Sequence, residues 1–196
     1  MSDQGPKPSR LIIGISGASG ALYGIRLLQV LRPLPVETHL VLSKAAEMTI
    51  AMETDFKPAQ VRQLADKAYA IGDVGAAISS GSFPTGGMII APCSVKTMAE
   101  IATGVTSTLL SRAADVVLKE RRRLVLMLRE TPLHSIHLRN ALTLSEMGAI
   151  IAPPVPGLYA RPDKIEDMVD HTVGRILDLF ELEAGTVKRW DGGRGG

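Results

Sequence analysis

Apolar residues along the chain come in short unbroken runs, separated by segments whose apolar positions recur at helical spacing. Leu11–Ile15 is such a run and ends in glycine-rich sequence, the pattern of a strand buried on both faces. Leu22, Ile25, Leu28 and Leu31 then fall at three-residue steps before Pro33, which predicts a helix. Glu37–Leu42 reads as a second strand, with helices expected over Ala45–Thr54 and Ala59–Tyr69. The Gly/Ser-rich stretch Gly72–Gly87 reads as loop, and Met88–Ala91 as a strand closed by Pro92. Helices are expected over Val95–Thr103, Thr108–Arg122, Ser135–Met147 and Lys164–Leu182, and strands over Leu124–Leu128 and Ala149–Ala152. Strand–helix alternation without hairpin signals predicts an α/β fold: one doubly wound, Rossmann-like domain with a parallel sheet. No internal repeat or linker divides it. The domain is expected to span 11–190, with disordered ends at 1–10 and 191–196.

Composition changes this picture little. The 196 residues suffice for one core without disulfides. Aromatics are only 4%, so aliphatic, Ala and Gly packing must dominate. Twenty-two Lys and Arg against 20 Asp and Glu leave +2, too little to announce a nucleic-acid or membrane partner. One cysteine, Cys93, excludes an internal disulfide framework, and no apolar run approaches a membrane span. A cytoplasmic protein is expected.

In doubly wound folds ligands bind beyond the carboxyl ends of the strands, so the loops there carry the candidate chemistry. The first loop holds Gly14, Gly17, Ala18, Ser19 and Gly20 and leads into a helix. It reads as a phosphate cradle with hydroxyl donors at Ser16 and Ser19. The second begins Ser43–Lys44, without the acidic residue that NAD recognition wants, while a 2′-phosphate reader remains open. The third, Pro92-Cys93-Ser94-Val95-Lys96-Thr97, opens another helix and is a second phosphate- or ribityl-binding candidate. Cys93 reads as a buried structural thiol. The basic run Lys119–Arg123 reads mostly as a solvated helix end. Arg129–Glu130, just past a strand, reads as an anion contact beside a proton-handling carboxylate. His134 and His137 have HxxH spacing, but a helix cap or surface pair explains them better than zinc.

Taken in order, GISGASGALYGIRLL, SKAA, ETD, PCSVKT, SRAADVVLKERR, LRETPLHSIHLRN, GAIIAPPVPGLY and the helix bearing Arg175 cover nearly the whole chain. They resemble the UbiX-type flavin prenyltransferases. The resemblance implies a Rossmann-like fold, reduced FMN as prenyl acceptor, no metal and a homo-oligomer, usually a dodecamer. It also implies dimethylallyl monophosphate as donor and a UbiD-type decarboxylase as recipient of the prenylated flavin. By position it carries FMN contacts onto Ala18, Ser19, Gly20, Ser43, Ser94, Val95, Lys96, Thr97 and Arg129, with Arg112 as a helix arginine of the site. Lys119, Tyr159 and Arg175 match the pocket for the prenyl phosphate, and Glu53 and Glu130 its carboxylates. Ser19, Glu53, Lys119 and Glu130 are the residues expected in catalysis, with Glu53 reaching a neighbour's site. Leu158 and Arg123 depart from the family's pattern at rim positions.

This chemistry suits the residues. Breaking an allylic C–O bond leaves phosphate and an allyl cation, and Lys119 and Arg175 can neutralise the phosphate while Tyr159 and Ser19 donate hydrogen bonds. Three other readings stay open: an FMN-dependent decarboxylase of similar fold, an NADP reductase, and a flavin carrier without activity.

Overall fold

The computed structural model describes residues 10–185 together with 187 and 189. The expected disordered ends therefore lie outside the described residues, save Arg10, which opens a strand and pairs with Glu37 at 3.0 Å. Six strands form one sheet in the order β3-β2-β1-β4-β5-β6, every neighbouring pair parallel. They are β1 (Arg10–Ile15), β2 (Glu37–Leu42), β3 (Lys67–Tyr69), β4 (Gly87–Cys93), β5 (Arg123–Leu128) and β6 (Ile150–Ile151). The helices are α1 (Ala21–Leu31), α2 (Lys44–Glu53), α3 (Pro58–Arg62), α4 (Val95–Ala102), α5 (Leu109–Lys119), α6 (Ser135–Glu146) and α7 (Ile165–Asp178).

The central strands are buried on both faces because each face carries its own core. Leu11, Ile13 and Ile15 of β1 join α1 and α7 residues such as Ile25, Leu28, Val173 and Leu177. Ile12, Met88 and Ile90 point the other way, onto Met98, Leu110, Ala113 and Val117 of α4 and α5. The sheet grows outward in both directions from β1, first to β2 and β3, then to β4, β5 and β6. The two connections diverge between the carboxyl ends of β1 and β4, which is where a crevice opens in such folds.

Four sequence expectations need correction. The helix expected over Ala59–Tyr69 breaks after Arg62, and Lys67–Tyr69 becomes edge strand β3. Asp66 explains the change: its carboxylate accepts from the Thr38 N–H at 2.7 Å and the Thr38 hydroxyl at 2.8 Å, and its own N–H donates back to that oxygen. This tertiary tie outweighs local helix propensity. Strand β4 does not close at Pro92 but runs on to Cys93, through a cis Ala91–Pro92 bond and a register shift between Ile90 and Cys93. The helix expected to Arg122 stops at Lys119, and Arg121 takes a left-handed φ of 56°. Arg122 is no solvated helix end: it donates to the carbonyls of Phe83 at 2.8 Å and Gly81 at 2.6 Å. Helix α7 is likewise shorter than the span expected for it, ending at Asp178.

Gly24 lets α1 lie flat on the sheet. A Cβ there would sit 2.3 Å from the Ala91 carbonyl oxygen and 2.6 Å from Ile15. Alanine is the better helix former by about 1 kcal/mol. Even so, Gly24→Ala is expected to destabilise the protein by roughly 1–3 kcal/mol, the usual cost of overpacking. Urea unfolding at neutral pH checks this, and a stabilised variant would show that α1 can lift off the sheet freely.

Candidate functional site

The crevice at the reversal point is a cavity of about 470 Å³, walled by Gly17 after β1, Ser43 after β2, Ile71 after β3, Ser94 and Thr97 opening α4, and Thr108 opening α5. Its volume lies in the range of about 300–1,000 Å³ common for small-molecule sites. Ser43, Ser94 and Thr108 are the N-caps of α2, α4 and α5, and each hydroxyl accepts from a backbone N–H of its own first turn. These caps satisfy one orphan donor each and leave the remaining N–H groups of three helix starts directed at one space. Ile71 and Leu110 add apolar wall. A Cβ on Gly17 would come 2.3 Å from that of Ala45, so glycine is what lets the first loop pass this close to α2.

Ser16 was expected to face the ligand and does not. It is fully buried; its hydroxyl donates to the Pro92 carbonyl at 2.9 Å and accepts from the Ser94 N–H at 2.7 Å, fastening the two loops together. Among the other expected contacts, Ser43, Ser94, Lys96 and Thr97 line the cavity. Val95 packs against the core beneath α4, and Lys96 pairs with Glu100 at 2.6 Å. Cys93 is buried, and burial pushes its thiol up to about 12, which fits a structural residue.

The first glycine loop departs from the phosphate-cradle expectation in a second way. The N–H groups of Gly20 and Ala21, which start α1, are already taken by the Glu53 carboxylate at 2.8 and 3.2 Å. Glu53 therefore meets its own chain's loop. Burial works against its ionisation, but hydrogen bonds from Ser19, Gly20 and Ala21, with the Arg129 charge nearby, hold its carboxyl below the usual range. Arg129 in turn donates to the Ser19 carbonyl at 3.2 Å. The structure thus gathers Ser19, Glu53 and Arg129 at one rim, with Ala18 and Gly20 on the same loop. Glu130 follows Arg129 and accepts from the Thr131 N–H at 3.0 Å.

The expected phosphate pocket is not assembled around this cavity within one chain. Helix α5 starts at the cavity, so Lys119, nine residues past Leu110, lies about 14 Å farther along the axis. There it pairs with Glu120. Arg112 sits on the same outward stripe, paired with Asp115 at 2.8 Å. Arg175 bonds Asp178 at 2.6 Å, one turn before Leu179, whose carbonyl receives Arg123, the first residue of β5. The end of α7 is therefore at the amino edge of the sheet, a strand length of about 17 Å from the cavity end. Tyr159 lies on the short 3-10 turn Leu158–Ala160, its hydroxyl 3.0 Å from His171 on α7. His134 caps α6 by accepting from the Ile136 N–H, and its ring stacks on His137 at 3.5 Å. Among the described residues no group of three or more His, Cys, Asp or Glu side chains is arranged to hold a metal, and no helix is long and apolar enough to cross a membrane.

A doubly wound sheet with helix starts converging on its reversal point defines a nucleotide-phosphate-binding protein, and the Flavoprotein family model matches residues 2–177. The flavin prenyltransferase UbiX of Escherichia coli K12 is 55% identical over 186 residues, covering 93% of this chain and 98% of that protein. A crystal structure of AnUbiX (PadA1) in complex with FMN and dimethylallyl pyrophosphate superposes with a TM-score of 0.92 at 55% identity, covering 93% of this chain and 97% of that one. A dodecameric FMN-dependent UbiX-like decarboxylase from Escherichia coli O157:H7 also gives 0.92, at 52% identity, covering 93% of this chain and all of that one. This chain belongs to the UbiX-like flavin prenyltransferases.

Glu53 gives a test of the rim. Glu53→Ala uncaps α1, at a cost of about 1 kcal/mol. Because the folded-state pKa is depressed, this contribution is fully present above the ordinary carboxylate pKa and disappears as pH falls through the lower folded value. Denaturant unfolding of wild type and variant should differ at pH 7, and the difference should shrink as the pH falls below the ordinary carboxylate range. Equal stability at pH 7 would remove the capping role.

Proposed function

We propose that this chain transfers a dimethylallyl group from dimethylallyl monophosphate to reduced FMN, joining it to N5 and C6 of the flavin, and that a UbiD-type decarboxylase receives the product. The carrying observation is the cavity at the strand reversal, onto which α2, α4 and α5 open their N-terminal N–H groups. The residues fit FMN. The flavin phosphate is assigned to Ser43, Ser94, Thr97 and the start of α5, because α1, the helix expected to bind it, is already capped by the Glu53 carboxylate. Ile71 and Leu110 offer apolar surface to the ring system. Arg129, anchored on Ser19, supplies the cation at the rim. When bound, reduced FMN supplies the nucleophilic nitrogen and carbon.

The protein's own groups do the rest. Lys119 and Arg175 neutralise the departing phosphate, and Tyr159 and Ser19 donate hydrogen bonds to it. Glu130 accepts the proton released as the ring closes on C6. Arg112 lies on the Lys119 stripe of α5, facing outward, and Arg175 is exposed on α7. Both patches are far from their own chain's cavity, so in this reading they serve the cavities of neighbouring copies in a homo-oligomer, a dodecamer by analogy with the Escherichia coli O157:H7 relative. Residues 11–190 are the catalytic domain, and its single, buried cysteine is in keeping with a cytoplasmic setting.

Incubating the protein anaerobically with reduced FMN and dimethylallyl monophosphate should yield a flavin heavier by one prenyl unit in mass spectrometry, and unchanged FMN would reject the reading. Ser43→Trp with Ser94→Trp should strip flavin from the purified protein, whereas full flavin absorbance in that variant would move the phosphate elsewhere.

Subunit mixing tests the shared site. Lys119→Ala keeps the cavity but lacks the cation, and Ser94→Trp keeps the cation but lacks the cavity. Each alone should be nearly inactive. Co-expressed in equal amounts, they should regain about a quarter of wild-type activity, the chance that a sound cavity meets a sound neighbour. No recovery in mixed oligomers would return Lys119 to a role within its own chain.

A further inference from the structure

Of the Ser43–Lys44 pair that opens the second loop, the serine caps α2 and the lysine has no task inside the chain, although both line the cavity. Two ammonium groups stand on the cavity wall, Lys44 and Lys96, together with one carboxylate, Glu100. Lys96 is committed: it reaches Glu100, one turn along α4, at 2.6 Å, and the two charges cancel. Lys44 has no such match. The acid at the right helical distance is Glu47, three residues on, and its carboxylate is held by Arg62. Among the described residues no carboxylate pairs with Lys44, which is exposed.

Lys44 also stands where helix electrostatics oppose it. It is the first residue of α2, at the positive end of the helix dipole, where a cation is unfavourable. Helices α4 and α5 open their own positive ends onto the same cavity. Nothing in the chain offsets this placement, but a bound phosphate does. Seated on the N–H groups of these helix starts, a dianion reverses the sign of the local field, and the misplaced ammonium becomes an attractive contact. Lysine suits the task, since it acts on phosphate as a point charge at the end of a flexible stem. We propose that Lys44 is a further cofactor-binding residue: it supplies the cation that faces the flavin phosphate, and so makes the cavity prefer FMN to riboflavin, the same flavin without phosphate. The proposal rests on the reading of this cavity as the FMN site. In it the serine and threonine caps orient the phosphate, and Lys44 supplies the charge.

The experiment is equilibrium competition. The assembled, flavin-loaded protein is dialysed against mixtures of FMN and riboflavin, and the bound ratio is read by chromatography of the released flavins. Wild type should prefer FMN. Lys44→Gln should lower that preference about tenfold, the weight of one charged contact to phosphate, with riboflavin affinity unchanged. Lys44→Arg keeps the charge and should stay within about threefold of wild type. Lys96→Gln removes a charge already matched by Glu100 and should also stay within about threefold. Salt at about 1 M should shrink the difference between wild type and Lys44→Gln, because an exposed cation is screened. If Lys44→Gln keeps the wild-type preference, or loses riboflavin as strongly as FMN, the cation role is rejected. A difference that salt does not touch would mark a change of shape rather than of charge, and rejects it too. If Lys96→Gln lowers the preference and Lys44→Gln does not, the other lysine serves the phosphate and the proposal is overturned. If wild type itself does not distinguish FMN from riboflavin, no phosphate is held here and the reading beneath the proposal falls.

Discussion

One buried residue, Ser16, ties the two halves of this molecule where its connections part, through its backbone N–H and its hydroxyl. Ser16 receives the Ser94 N–H and gives its own proton to the Pro92 carbonyl, beyond the last ladder bonds of β1 and β4. A parallel sheet has no hairpin to tie neighbouring strand ends, so the loops above β1 and β4 would otherwise diverge along with the helices they feed. With the strut in place, Gly17–Gly20 on one side and Ser94–Thr97 on the other keep a fixed separation. The width of the cavity follows from that separation, and so does the angle at which α4 presents its first turn. Removing the hydroxyl would leave the buried Ser94 N–H short of a partner, whereas the Pro92 carbonyl keeps the Ser16 backbone N–H at 3.2 Å.

The helix starts around the crevice are of two electrical kinds. Helix α1 is capped by a carboxylate, Glu53, which cancels the positive end of its dipole and leaves the region poor at attracting a second anion. Helices α2, α4 and α5 are capped by the neutral hydroxyls of Ser43, Ser94 and Thr108, which satisfy one donor each and keep the field. In the proposed reading the flavin phosphate goes to the side of α2, α4 and α5, while the Glu53 carboxylate organises Ser19 and Arg129 on the other.

What could be read directly from the sequence was whatever depends on neighbouring residues. Leu11–Ile15 and Glu37–Leu42 declared themselves as buried strands because strand burial on both faces leaves an apolar run, and Ser43 and Ser94 stood out because they follow such strands in the loops where ligands bind. Contacts between distant segments were not readable. Asp66 turns a helical pattern into β3 only because Thr38 is 28 positions away in the chain and beside it in space. Glu53, which the resemblance placed among the pocket carboxylates and at a neighbour's site, is laid by the fold on its own chain's Gly20. The resemblance to known prenyltransferases named Lys119, Tyr159 and Arg175 together, although one chain keeps Lys119 and Arg175 away from the cavity and brings Tyr159 to His171.

The burial of Cys93 bears on how such a protein survives its own chemistry. Reduced flavins react with oxygen and release hydrogen peroxide, and the species that peroxide attacks is the thiolate. Burial pushes the thiol up to about 12, which keeps it in the unreactive protonated form at neutral pH, and the residue has no exposed surface. In the proposed reading Cys93, next to Ser94, borders the flavin site, and the same hydrophobic packing that stabilises β4 shields its sulfur from peroxide. Its sulfur serves to fill space.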